Sequence, residues 1–71
     1  MSARGRLYVP VAQADVKLRY RSAPVPAAID VTDGGFSAHL SEPAYGVARG
    51  QVAVVYDDDA VVGAGVITDT S

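Results

Sequence analysis

The chain has 71 residues, no cysteine and a formal net charge of −2. A chain this short makes one domain, which buries only about 60% of the surface its unfolded form exposes. The missing cysteines exclude a disulfide framework, a thiolate metal site and cysteine-based sulfur chemistry within the chain, and the acidic balance excludes an RNA binder driven by overall charge.

The hydrophobic share of 49% supplies one small core and argues against a disordered tail. With no tryptophan and one Phe, that core is built mostly from Val, Ala, Ile, Leu and Tyr. No apolar run approaches the roughly 18 to 20 residues of a membrane span, and the start Met1-Ser2-Ala3-Arg4 has no apolar stretch like a secretion signal. A soluble, cytoplasmic domain is expected. Five of the six basic residues lie between Arg4 and Arg21, and seven of the eight acids lie from Asp30 onward. The surface is therefore expected to be polarised, with a basic edge and an acidic turn.

In chain order, a short strand is expected around Leu7 to Val9. Asp15 to Arg21 alternates strictly, with Val16, Leu18 and Tyr20 on one face and Asp15, Lys17, Arg19 and Arg21 on the other. This is the period of a half-buried strand. Ser22 to Pro26 carries two prolines, which cannot donate to a central ladder, and reads as a loop or an edge. Ala27, Ile29 and Val31 then alternate with Ala28, Asp30 and Thr32 as the next strand.

Asp33-Gly34-Gly35 is a hairpin signal, since Asp-Gly tolerates the positive φ angles of a primed two-residue turn. Phe36, Ala38 and Leu40 alternate with Ser37, His39 and Ser41, and this strand should pair with the one before. Glu42 to Arg49, with Pro43 and Gly46, reads as a longer connection. Gln51 to Tyr56 is nearly all apolar, as for a strand covered on both faces, and Ala60 to Thr68 repeats that character after an acidic turn. Nowhere does a helical period run long enough for a stable helix. About six short strands and no helix imply a small antiparallel six-stranded β-barrel, whose closure removes exposed edges.

Gly63 and Gly65 point to the same face of one strand, where they let a neighbouring strand approach as the barrel closes. A lone G-x-G without a following helix makes a weak phosphate site. Asp57-Asp58-Asp59 lacks the alternate spacing and distal Glu of a calcium loop and reads as a solvated turn. His39, the sole histidine, sits between Ser37 and Ser41 on an outer face; with no second imidazole or thiol it anchors no metal, and no Gly-x-Ser-x-Gly elbow accompanies it. Neither a metal site nor a catalytic residue is expected here.

The functional candidates are cations. Lys17, Arg19 and Arg21, spaced by two, fall on one strand face about 7 Å apart and could track phosphates, or they could simply form a solvated face. Arg49, beside Gly50, adds a possible phosphate contact in a loop.

Two blocks of the sequence resemble the C-terminal β-barrel domain of bacterial tRNA 2-thiouridylases, some of which older naming calls tRNA methyltransferases. Val16-Lys17-Leu18-Arg19-Tyr20-Arg21 resembles that family's K-I-R-Y-R strand. Gly50-Gln51, Ala53-Val54-Val55-Tyr56-Asp57 and Gly63-Ala64-Gly65-Val66-Ile67 are similar to its P-G-Q-x-A-V-F-Y-D … L-G-G-G-x-I ending. Arg49, Asp58 and Ala64 depart from a frequent proline, a frequent turn glycine and the middle glycine of that pattern.

The resemblance implies a single barrel over residues 1–71, similar to the second domain of translation elongation factors, cut from a larger enzyme. Its partners would be tRNA and the missing N-terminal catalytic and central domains. Family members hold ATP through a Ser-Gly-Gly-x-Asp-Ser loop, carry two catalytic cysteines elsewhere, and replace the C2 oxygen of the wobble uridine with sulfur. None of those motifs occurs here, so the chain should keep a tRNA-holding role, through Lys17, Arg19, Arg21 and Arg49, without the chemistry. The alternatives are a barrel that packs on and stabilises a neighbouring domain, and an independent translation-factor-like nucleic-acid module.

Overall fold

A computed structural model describes residues 1–18, 23–41 and 48–70. They form six strands: β1 (Ser2–Leu7), β2 (Gln13–Leu18), β3 (Val25–Thr32), β4 (Gly35–Leu40), β5 (Val52–Asp57) and β6 (Ala60–Asp69). All pairings are antiparallel and the order β1-β4-β3-β2-β5-β6 closes on itself. The expected all-β, six-stranded antiparallel barrel is what forms.

The interior is filled by alternate side chains of every strand. Phe36, Ile29, Leu18 and Ile67 face the small Ala3, Ala27, Ala38 and Ala53, with Val16, Val55 and Val62 between them. Alternation of large and small residues is how so narrow a barrel packs without voids. No buried side-chain nitrogen or oxygen lacks a hydrogen-bond partner among the described residues. The core leaves no polar interior for a ligand, so function must sit on the outer wall or at the mouths.

Several expectations are corrected. The first strand spans Ser2–Leu7 rather than Leu7 to Val9. Tyr8 and Val9 are exposed, 60% and 48%, where the chain turns toward Pro10. Strand β2 begins at Gln13, and residues 19–21 of the expected Asp15 to Arg21 strand lie outside the described residues, as do 42–47 of the expected connection.

Pro26 lies inside β3, opposite Asp15 of β2. Its carbonyl accepts from the Ser41 N–H at 2.8 Å, so its missing donor falls beyond the last β3–β4 pair and costs the sheet little. Val31 is 71% exposed although it continues the inward alternation of Ala27 and Ile29 and lies opposite the buried Phe36, at the end of β3 next to the turn.

Both expected hairpins form, around Asp33–Gly34 and Asp58–Asp59. The first is not a primed turn: neither Asp33 nor Gly34 has a positive φ, and among the described residues the left-handed ones are Asp58 (φ 57°) and Gly50 (φ 88°). The largest correction concerns β5 and β6, which are not covered on both faces. Val52, Val61 and Val66 are 43%, 50% and 45% exposed on the outer wall.

Strand β1 closes the barrel against glycine. A Cβ on Gly65 would lie 2.8 Å from the Arg4 carbonyl oxygen and 3.2 Å from the Ala3 Cβ, and one on Gly63 would lie 2.9 Å from the Arg6 carbonyl oxygen. The expected closure role of the G-x-G is thereby given a partner. Register shifts where Val62 is inserted opposite the Val55/Tyr56 step, and Val62 and Gly63 are both buried, as a bulge that turns two successive residues inward requires. The Tyr8 N–H donates to the Val62 carbonyl at 2.7 Å and ties that bulge to the end of β1.

Candidate nucleic-acid interface

Alternation on β2 buries Val16 and Leu18 and leaves Lys17 exposed on the outer wall, opposite Val54 of β5. Arg19 and Arg21 lie outside the described residues. Arg49 is exposed in the turn that leads into β5, at the mouth toward which β2 runs after Leu18.

That turn is built from backbone needs. Gly50 takes a left-handed φ of 88°, and no atom lies within 4 Å of a Cβ placed there, so conformation rather than space demands glycine. Gln51 accepts from the Ala48 N–H through Oε1 at 2.9 Å, while the Gly50 N–H donates to the Ile67 carbonyl at 2.9 Å. The Gly-Gln pair thus fixes where Arg49 stands.

Two further cations were not singled out from the sequence. Arg4 and Arg6 are exposed on β1, opposite Val66 and Ala64 of β6. Their spacing of two is the signal in the sequence, and it lies ahead of the strand expected around Leu7 to Val9. All four cations among the described residues, Arg4, Arg6, Lys17 and Arg49, are exposed. Asp33, Asp58 and Asp59 occupy the two hairpin turns at the opposite mouth, Asp57 ends β5 beside the second, and all four are exposed. The expected polarisation holds for Lys17 and Arg49, which lie toward the mouth away from these turns, but not for Arg4, which is paired with Gly35 beside the Asp33–Gly34 turn.

A shallow groove of about 540 Å³ crosses the outer wall of β2, β3 and β4, over the small Pro26 and Ala28. His39 borders it, exposed and opposite Ala28 as its alternation required, together with Asp15, Tyr56, Asp57 and Asp58. The three carboxylates that line this groove with His39 make it an unfavourable place for a phosphate. Among the described residues no cluster of His, Cys, Asp or Glu is disposed to hold a metal ion, and no helix is long and apolar enough to cross a membrane.

The sequence profile of the family described as "Aminomethyltransferase beta-barrel domain" matches residues 9–67. The chain is 56% identical over 54 residues to the tRNA-specific 2-thiouridylase MnmA of Helicobacter hepaticus, covering 76% of this chain and 16% of that protein. It is 52% identical over 52 residues to the enzyme of the same name from Helicobacter acinonychis, covering 73% and 15%. Against tRNA-specific 2-thiouridylase MnmA 1 of Aliarcobacter butzleri it is 45% identical over 56 residues, covering 79% and 16%. The chain thus spans about one-sixth of the length of these relatives. No solved structure matches it.

Proposed function

We propose, from the premise that this chain belongs to the family of C-terminal β-barrel domains of bacterial tRNA-specific 2-thiouridylases, that it is an accessory domain which contacts tRNA and carries out no catalysis by itself. The observation that supports the tRNA role is the separation of charge: exposed Lys17 and Arg49 stand on β2 and at the mouth it approaches, away from the carboxylate turns. Arg19 and Arg21 follow Lys17 in sequence, and Arg4 and Arg6 add exposed cations on β1.

On this reading the wobble-uridine 2-thiolation chemistry, its ATP and its cysteines belong to the catalytic and central domains of a cytoplasmic parent enzyme. The Ser-Gly-Gly-x-Asp-Ser loop that would hold ATP does not occur in these 71 residues. The barrel supplies a few phosphate contacts to an affinity made mainly elsewhere. A net charge of −2 keeps the isolated chain a weak binder.

Titrating bacterial tRNA into the 71-residue chain at low salt, followed by amide NMR, tests this. Weak binding is expected, with shifts at Lys17 and around Arg49. Each phosphate contact contributes roughly 0.7 to 0.9 to the slope of log affinity against log salt. Replacing Lys17, Arg19, Arg21 and Arg49 with Gln should therefore flatten that slope by about 3 to 4. A titration that leaves the β2 amides unmoved, or a slope that survives the four substitutions, rules the face out as an RNA contact.

A further inference from the structure

The two sides of the barrel wall differ in a way the tRNA role does not use. The outward positions of β3 and β4 are small or polar: Pro26, Ala28, Asp30 and Thr32, then Ser37, His39 and Ser41. Those of β5 and β6 are Val52, Val54 and Tyr56, then Val61, Ala64 and Val66. Register makes these one patch, since Val52 faces Val66, Val54 faces Ala64 and Tyr56 faces Val61. Cross-strand neighbours on one face stand within contact distance. An apolar face whose counterpart is solvated in the ordinary way marks a surface that something covers.

The patch is edged with positive charge on both sides. One transverse row runs Arg6, Ala64, Val54, Lys17 across β1, β6, β5 and β2. Three strand spacings, about 14 Å along the curved wall, lie between its two cations. Arg4 extends the β1 edge beside Val66. This pattern takes an apolar ridge bordered by carboxylates. RNA fits it poorly, because the patch has one aromatic, Tyr56, half-buried at its end, the valines offer no stacking surface, and the phosphates would meet cations only at the rims. A second copy in a two-fold arrangement would bring this same cation-edged patch against itself.

We infer that the outer wall of β5 and β6 docks an apolar, carboxylate-edged surface of the body of the thiouridylase that carries this barrel. The inference rests on the assignment to that family, in which more than four-fifths of a relative's length lies outside the matched barrel. It does not rest on tRNA contact, which the barrel would make from the rim and the Arg49 mouth while its apolar wall is held by protein.

Thiol labelling reads such coverage directly, because the chain has no cysteine of its own. Val52→Cys, Val66→Cys and Asp30→Cys are made singly, in the 71-residue chain and in a chimaera in which this chain replaces the matched segment of the Helicobacter hepaticus enzyme. Labelling at each site is followed by peptide mass spectrometry. In the chain alone all three react freely. In the chimaera the two valine sites slow at least tenfold, Asp30→Cys on the opposite wall keeps its rate, and Ala53→Cys, in the core, stays unreactive in both.

Equal labelling of Val52→Cys and Val66→Cys in chain and chimaera overturns the inference. Protection that appears only when tRNA is added assigns the wall to RNA, and protection already present in the chain and lost on dilution assigns it to a second copy; either also overturns it. Arg49→Gln, outside the row that edges the patch, leaves the labelling unchanged while it weakens the tRNA contact, so a failed tRNA contact is told apart from a failed docking face.

Discussion

At the scale of single residues, the turn signals in the sequence were right about place and wrong about conformation. Asp33-Gly34 makes its hairpin without a positive φ, while Asp58, where the family pattern often has glycine, bears φ 57°. An L-residue in that region costs about 1 to 2 kcal/mol, less for Asp than for bulkier residues. Asp58→Gly should therefore stabilise the chain by about 0.5 to 1 kcal/mol after the added flexibility of the unfolded chain is offset. For a domain of this size that raises the melting temperature by roughly 2 to 8 °C. Asp59→Gly, next door without a positive φ, should lower it. A circular-dichroism melt of both variants decides, and equal shifts would show that the strain is not at Asp58. No reading of residue types distinguishes these two turns, because Asp and Gly permit the left-handed region without requiring it.

At the scale of elements, periodicity was a reliable guide wherever one wall is wet. Val16 and Leu18 against Lys17, and Ala27 and Ile29 against Ala28 and Asp30, fall inside and outside as their alternation demands. It failed on β5 and β6 because an apolar outer wall and a second buried face look the same in sequence. The sites followed suit: Lys17 and Arg49 were legible as exposed cations, whereas the Val52–Val66 patch was hidden within what read as buried strand. The glycines of β6 were legible as closure points, and the structure specifies against what. A methyl on Gly65 meets backbone, the Arg4 carbonyl oxygen at 2.8 Å, which cannot swing aside as a side-chain end would. Gly65→Ala should cost about 1 to 3 kcal/mol, as overpacking does. Chemical denaturation measures this, and a loss below about 0.5 kcal/mol, the ordinary range for surface changes, would mean that β1 does not lie against β6 as closely as the register requires.

At the scale of the whole molecule, the strand least visible in the sequence is the one that makes the barrel a barrel. Strand β1 pairs with β4 on one side and β6 on the other, joining parts of the chain more than 25 residues away. The Met1 amine donates to the Ala38 carbonyl at 3.1 Å, the Ala38 N–H donates back to the Met1 carbonyl at 2.8 Å, and the Gly5 N–H reaches the Gly34 carbonyl at 3.1 Å. The family match begins at residue 9, after this strand, so strands β2 to β6 carry the family signature and β1 carries the closure. Without it β4 and β6 become open edges, and β6, ten residues long with outward valines, is the kind of edge that recruits other chains. Removing Met1–Leu7 should therefore abolish cooperative thermal unfolding and produce larger oligomers than the full chain forms at micromolar concentration, read by light scattering on a sizing column. A truncated chain that forms nothing larger than the full one does and melts within about 1 kcal/mol of it would mean that five strands close the wall without β1. The closing strand and the apolar wall adjoin along β6, so the truncated chain should also bind hydrophobic dye more strongly, and Val66→Glu, which places a charge on that wall, should suppress both the dye binding and the oligomers.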